Sequence, residues 1–238
     1  MSYLYHTFFF DPLYNSLMVL FKVLPWADAG IIVIILTILV RLVLFPLSRK
    51  AVFTQVKMGE IGPELEQIKE RYKDKPEEQA RQTLSLYKNN GINPFSGILV
   101  ILIQLPLIFS LYQIFLHFPE VKTELLYSFV TAPALVNTVF LGLIDISHKS
   151  LIIAFLAALS TFFQLQVTSK NQTTPKGNSF GDNLTRSMQT QMKYLLPIIV
   201  LFISYKISGV IALYWLTTNL FSIGQELFVR NQIKASLA

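Results

Sequence analysis

The clearest pattern in this chain is an alternation of long apolar runs with polar, charged segments. A helix needs about 20 mostly apolar residues to cross the hydrocarbon layer of a bilayer. Five runs approach that length, whereas residues 49–92 are polar and carry Lys and Glu at helical spacing. The pattern therefore predicts an all-α polytopic membrane protein with five transmembrane helices and a cytoplasmic helical hairpin.

The predicted elements follow one another in a single domain, residues 1–238. They are an outer interfacial helix (11–25), span 1 (31–48), the cytoplasmic hairpin (49–92), span 2 (94–117), an outer segment (118–149), span 3 (150–168), a cytoplasmic loop (169–190), span 4 (191–207) and span 5 (210–229). The first helix equally fits an ordinary packed helix. The apolar run 134–146 is only about 13 residues long and is therefore assigned to the outer segment.

Basic residues predict the orientation, because short cytoplasmic loops retain Lys and Arg. Arg49 and Lys50 follow span 1, the loop 169–190 is predominantly basic, and Arg230 follows span 5. We therefore expect the N-terminus outside the cell and the C-terminus in the cytoplasm.

Composition supports membrane residence and narrows the chemistry. The chain is 53% hydrophobic and 14% charged, with a net charge of +6, and a soluble domain would expose much of this apolar surface. The sequence has no cysteine, which excludes disulfides, thiolate metal sites and a cysteine nucleophile. It also lacks the zinc-protease, phosphate-loop and paired-aspartate motifs. We therefore expect neither an enzyme nor a cofactor or metal.

Arg41 is the costliest residue in the predicted spans. It lies in span 1, about 12 Å from Arg49 along a straight helix. Insertion scales assign a mid-span arginine a cost of about 2.5–3.5 kcal/mol, so its side chain should face protein or water. The alternative is an arginine that extends to the inner headgroups or forms a structural ion pair.

Other spans contribute polar side chains on single helical faces. Thr161, Gln164 and Thr168 share one face of span 3, and Trp215, Asn219, Ser222 and Glu226 share one face of span 5. Each alone is more often a tie between helices. Together with the arginine they predict a hydrated groove, whose candidate residues are Arg41, Gln104, Gln164, Tyr214, Trp215 and Asn219.

Several stretches also match a known family pattern in order. They are ILVRLVLFPLS (38–48), the segment 93–107 with its Gln-Leu-Pro, FLGLID (140–145), TFFQ (161–164) and LYWLTTN (213–219). In this order they resemble the YidC/oxidase-assembly/Albino insertases, in the compact bacterial form. The resemblance covers nearly the whole chain.

The resemblance implies a membrane protein insertase and chaperone of the bacterial plasma membrane. Five helices would surround a groove open to cytoplasm and lipid, with Arg41 inside it. Nascent membrane proteins and lipids would be its partners, with the ribosome and a Sec-type translocon as further candidates and no direct contact with nucleic acid. The hairpin 49–92 is expected to capture clients and to move relative to the spans, since it is long, charged and joined to them only at its ends. The alternative is a solvated connector without a partner.

Two other functions compete with this interpretation. A buried arginine and polar helix faces also suit a small-solute or anion pathway, although the sequence shows no inverted repeat and not every span has a polar face. An intramembrane enzyme is the third alternative, weakened by the missing acid–base pair.

Overall fold

The computed structural model describes residues 2–93, 95–169 and 180–237, which are almost entirely helical. Most of the predicted cytoplasmic loop, residues 170–179, lies outside the described part. The described helices are α1 (Ser2–Tyr5), α2 (Asp11–Val23), α3 (Ala29–Val43), α4 (Phe45–Glu60), α5 (Gly62–Arg71), α6 (Pro76–Asn89), α7 (Ser96–Leu116), α8 (Leu151–Ser169), α9 (Phe180–Lys206) and α10 (Gly209–Leu237). A π-helical turn (His6–Phe10), a 3-10 turn (Thr123–Leu125) and an antiparallel hairpin of β1 (Val139–Phe140) and β2 (Ile144–Asp145) complete these ranges.

Helix α8 buries small side chains and exposes large ones. It packs against α9 and α10, and its buried residues are Ile153, Ala154, Ala157, Ala158, Ser160 and Thr161. Its exposed large residues include Leu151, Ile152, Phe155, Leu156, Leu159 and Phe163. A helix on a water-exposed surface would bury the large apolar residues instead. Small residues at the contact and large ones outside are typical of helices packed within lipid.

Length and hydropathy select fewer spanning helices than the sequence pattern predicts. Among the described residues, Leu151–Ser169 qualifies by itself, and Ala29–Val43 with Phe45–Glu60 qualifies as a bent pair. Leu102–Leu116 is apolar but shorter. The mostly helical fold agrees with the predicted class, while the count of five spans stays a prediction.

Span 1 is not one continuous helix, because the chain bends by 64° between α3 and α4. Leu44 separates the two helices, and Pro46 lies in the first turn of α4. Proline has no backbone N–H, so Pro46 cannot bond the carbonyl of Leu42, and its ring crowds that carbonyl. Arg41 therefore lies in the last turn of α3. The separation of about 12 Å from Arg49, which holds for one continuous helix, does not describe the structure.

The prediction that the hairpin is joined to the spans only at its ends is wrong for its first helix. Helix α4 packs against α7 and α10. Gln55 Nε2 donates to the carbonyl of Thr168 at 3.0 Å, and Gln225 Nε2 donates to Ser48 Oγ. Helices α5 and α6 pack mainly against each other. Helix α4 therefore belongs to the packed bundle, and the part of the hairpin outside it begins after α4, at Gly62.

The N-terminal helix α2 packs its apolar face on the bundle. Leu13, Leu17 and Phe21 are buried there, in the same core as residues of α3. Asn15 is also buried, and it donates to the carbonyl of Leu125 at 3.0 Å and accepts from Tyr127 N at 2.7 Å. These bonds hold the chain after α7 against α2. The helix ends two residues before the predicted boundary, and its place at a membrane interface stays a prediction.

The β-hairpin segment (137–148) contacts the start of α3. Ala29 N donates to the carbonyl of Asn137 at 2.8 Å. Asp28 uses both carboxylate oxygens, because Oδ1 accepts from Ile31 N at 3.0 Å and Oδ2 accepts from Leu141 N at 2.9 Å. Asp28 is thus both the N-cap of α3 and the anchor of the β-hairpin segment.

The same segment contacts the start of α10. Gly209 N donates to the carbonyl of His148 at 2.8 Å, and Val210 N donates to the carbonyl of Ile146 at 3.0 Å. Ile146 is fully buried. The first turns of α3 and α10 are therefore joined through one short segment, which also satisfies amide groups that a helix start leaves unpaired.

Asp145 stabilises the turn of this segment. Its carboxylate accepts from the hydroxyl and the amide of Ser147 at 2.6 and 3.0 Å, and the hydroxyl bond above all lowers the pKa of Asp145 to about 2. A carboxyl with a lowered pKa stabilises the fold above its unfolded pKa of about 3.9 and loses this contribution as the pH falls toward the folded value. The turn therefore keeps its charge at neutral and mildly acidic pH.

The close packing of Gly30 against Phe140 generates a stability prediction. A Cβ at Gly30 would collide with the Phe140 ring, whereas a Cβ at Gly224 in α10 would meet nothing within 4 Å. We expect Gly30→Ala to lower the free energy of unfolding by about 1–3 kcal/mol, the usual cost of overpacking. Gly224→Ala is the matched control and should be neutral or stabilising. Thermal or denaturant unfolding in detergent measures both.

The pair can also be tested for coupling. If the collision is the cause, adding Phe140→Ala to Gly30→Ala should cost less than Phe140→Ala costs in the unaltered protein. Strictly additive effects would contradict the contact.

Candidate functional site

A cavity of about 600 Å³ lies among α3, α7, α8, α9 and α10. All six candidate groove residues line it: Arg41, Gln104, Gln164, Tyr214, Trp215 and Asn219. They come from four helices that are distant in sequence. The structure therefore brings together the whole predicted set, while the role of these residues toward a client stays a prediction.

The cavity has a polar end and an apolar end. Arg41 lies about 18 Å beyond Ala29 along α3, and Ser222 lies about 20 Å beyond Gly209 along α10, at 1.5 Å per residue. Ala29 and Gly209 both contact the β-hairpin segment. Arg41 and Ser222 are therefore at similar distances from that segment.

The end of the cavity nearer the β-hairpin segment is apolar. Ile211 lies close to the start of α10, and Phe115 lies at the far end of α7 from Gln104. The apolar lining consists of Leu105, Ile108, Phe109, Leu111, Phe115, Ile203, Ile207 and Ile211. The sequence did not predict this apolar wall, because within each separate span its residues have the same pattern as residues that face lipid.

Arg41 supplies the positive charge of the cavity. Its side chain is half-buried, and Tyr214 is the titratable group that interacts with it. Within the side chains that the structure describes, the ion pairs are His6–Asp11, Asp145–His148 and Glu226–Arg230. No carboxylate among them neutralises Arg41. Its guanidinium is therefore available to water or to an anionic ligand.

Gln104 and Tyr214 connect two walls of the cavity. Gln104 Nε2 of α7 donates to the hydroxyl of Tyr214 in α10 at 3.2 Å. Tyr214 thus lies between the amide of Gln104 and the charge of Arg41. Trp215 and Gln164 are half-buried at the same cavity.

Asn219 has a structural contact besides its place in the lining. Its Nδ2 donates to Thr161 Oγ1 at 2.7 Å and to Ser160 Oγ at 3.0 Å, both in α8. The side chain is buried. For Asn219 the structure favours the tie between helices that the sequence left as an alternative.

Three polar residues grouped with the candidates lie outside the lining. Thr161 bonds Asn219, and Thr168 Oγ1 donates to Glu226 Oε2 at 2.7 Å. Glu226 also pairs with Arg230, which donates to the carbonyl of Val167 at 2.6 Å. The Glu–Arg spacing of four residues in one helix was the signal that could have found this buried pair.

Asn219 and Ser222 both lie in α10 and line the cavity, but they differ in what they bond, and this difference generates a second stability prediction. Asn219→Ala removes two bonds between helices, so we expect a loss of about 1–2 kcal/mol in the free energy of unfolding. Ser222→Ala is the matched control, because Ser222 lines the same cavity but bonds only the Thr218 carbonyl of its own helix. Unfolding in detergent compares the two variants. Equal losses would show that Asn219 does not tie α8 to α10.

The packing of the helices and the cavity between them define a class of protein. Lipid-type packing of α8, exposed apolar faces and a charged cavity between helices belong to a polytopic α-helical membrane protein.

The chain belongs to the 60Kd inner membrane protein family, whose sequence model matches residues 20–236. It is 30% identical over 199 residues to the membrane protein insertase YidC of Clostridium perfringens, covering 84% of this chain and 77% of that protein. The Clostridium tetani protein of the same name is 27% identical over 206 residues, covering 87% and 83%. The Wolinella succinogenes protein, also so named, is 29% identical over 234 residues, covering 98% of this chain and 39% of that protein. Family membership identifies an inner-membrane protein.

Proposed function

We propose that this chain is a membrane protein insertase and chaperone, which inserts nascent membrane proteins into the bilayer and helps them fold. The observation that carries the proposal is the cavity between five helices, with an arginine at its polar end that no carboxylate among the described side chains neutralises. The names of the matched relatives support the same function.

The physical task of an insertase is to lower the cost of moving polar groups into a bilayer. A peptide group without a partner costs several kcal/mol in hydrocarbon. A cavity that offers Arg41, Gln104 and Gln164 to a guest replaces part of the hydration that the guest loses. The reaction makes and breaks no covalent bond, so it needs neither cofactor nor metal.

Each candidate residue has a distinct role in this proposal. Arg41 attracts acidic or polar stretches of the entering chain, and Gln104, Gln164, Tyr214 and Trp215 offer hydrogen-bonding groups around it. Asn219 holds α10 against α8 and so maintains the lining. The apolar part of the guest passes into lipid beside the exposed faces of α8 and α10.

Helices α5 and α6 are the proposed capture element. They form the outer part of the hairpin, beyond the docked helix α4. Nascent membrane proteins and lipids are the proposed partners. The ribosome and a Sec-type translocon are further candidates, and direct contact with nucleic acid is not part of the proposal.

An anion pathway is the competing function. A pathway needs polar groups along its whole length to replace the hydration of the ion. Here the lining is apolar at the end nearer the β-hairpin segment, around Phe115, Ile207 and Ile211. This apolar end favours an insertase.

The proposed topology has five spans, with the N-terminus outside and the C-terminus in the cytoplasm. Because the chain has no cysteine, single cysteines report accessibility directly. A membrane-impermeant thiol reagent added to intact cells should label Leu135→Cys and leave Ser179→Cys unlabelled until the cells are opened. Labelling of position 179 from outside would contradict the topology.

The proposal assigns Arg41 a charge-dependent effect on insertion. Arg41→Ala should reduce insertion at least several-fold, most for clients with acidic outer tails, while Arg41→Lys should retain much of the activity because it keeps the charge. Reconstituted protein and clients that differ only in tail charge provide the measurement.

Arg49→Ala is the matched control, since Arg49 is exposed in α4 and lies outside the lining. It should insert every client as the unaltered protein does. Unfolding in detergent separates stability from activity. If folded Arg41→Ala inserted all clients at the normal rate, Arg41 would have no role in insertion.

A further inference from the structure

We propose that the cavity binds one anionic phospholipid of the inner leaflet, with its headgroup at Arg41 and an acyl chain along the apolar wall. The occupant fills the site when no client is present. This inference goes beyond insertion, because it assigns a resident ligand to the resting protein.

The charge at the polar end selects an anionic headgroup. Arg41 has no carboxylate partner among the described side chains. A guanidinium binds a phosphate group through two parallel hydrogen bonds. Gln104 and Gln164 line the same cavity, and their side-chain amides can donate to the remaining headgroup oxygens.

The apolar wall selects an acyl chain. From Gln104 to Phe115, α7 extends about 16 Å, and over this length it lines the cavity with five large apolar residues and the ring of Tyr112. Ile203 of α9, Ile207 of the bend after it and Ile211 of α10 line the cavity as well. A free phosphate ion would bind Arg41 but leave this wall without a partner, so the cavity fits an amphiphile rather than an inorganic anion.

The direction of the cavity matches the inner leaflet. Arg41 is in the last turn of α3, next to the bend at Leu44, and the basic residues Arg49 and Lys50 follow in α4. In the proposed topology this end faces the cytoplasm. The apolar end extends from it toward the β-hairpin segment. A lipid of the inner leaflet has the same order of headgroup and chain, and one of the outer leaflet has the opposite order.

The wall is also accessible from the side. Leu105, Ile108 and Phe109 line the cavity yet are 48%, 44% and 60% exposed. Large apolar side chains with this exposure lie on a surface that lipid covers in a membrane protein. A chain can therefore enter along α7 without passing through the bundle.

Tryptophan fluorescence tests the proposal in the folded protein. The chain has two tryptophans, of which Trp215 lines the cavity and Trp26 is 72% exposed at a distant turn. In the Trp26→Phe protein in detergent, phosphatidylglycerol with brominated chains should quench Trp215 and saturate at one lipid per protein. Unbrominated phosphatidylglycerol should reverse the quenching.

The competitor identifies what the site recognises. Diacylglycerol with the same chains should compete at least tenfold more weakly than phosphatidylglycerol, and inorganic phosphate should not compete. Equal competition by diacylglycerol would overturn the headgroup assignment, and displacement by phosphate alone would overturn the lipid assignment. Quenching that never saturates would show bulk contact and overturn the site.

Matched variants locate the two ends of the lipid. Arg41→Gln should weaken binding about tenfold, or about 1.4 kcal/mol, while Arg49→Gln should not. Ile108→Gln should weaken binding several-fold, while Leu102→Gln, an exposed residue of α7 outside the lining, should not. Equal losses in either pair would overturn the proposed position.

If Arg41→Gln fails to fold, the competition by diacylglycerol in the unaltered Arg41 protein decides the headgroup by itself. The insertase proposal is judged separately by client insertion. If the Trp26→Phe protein, whose cavity lining is unaltered, inserted clients normally but bound no lipid saturably, only the lipid site would be overturned; saturable lipid binding without insertion would overturn only the insertase.

Discussion

A polar group inside a bilayer has no water to bond, so it must find a partner within the protein or line a cavity. Several buried polar side chains follow this rule through bonds between helices, as Asn219 does with Thr161 and Glu226 with Thr168, and others bond a carbonyl of their own helix, as Thr37 does with Val33. Small residues on α8 allow the helices to approach closely enough for such bonds. Arg41 instead lines the cavity.

Arg41 and Arg230 illustrate the difference between an available charge and a structural one. Arg230 has Glu226 one turn away in α10 and the carbonyl of Val167 in α8, so its charge is satisfied within the protein. Arg41 has the hydroxyl of Tyr214 beside it and no carboxylate among the described side chains. Of these two arginines, Arg41 is therefore the one that is available to a negatively charged partner.

The cavity depends on how its two ends are built. At one end the β-hairpin segment bonds the first turns of both α3 and α10, so the two helices begin close to the same segment. At the other end the bend before Pro46 turns α4 away from α3 and onto α7 and α10. Arg41 is consequently held beside the bend, at the polar end of the lining.

The sequence by itself determined the helical class, the family resemblance and the six candidate residues that line the cavity, because apolar runs, a costly arginine and polar residues at helical spacing are local properties. Only the tertiary structure decided what those residues contact. The packing of α4 on α7 and α10 and the bonds from Gln55 to Thr168 and from Asn219 to Thr161 join residues far apart in the chain. The apolar wall was hidden for the same reason, since one helix cannot show whether an exposed leucine faces lipid or a shared cavity.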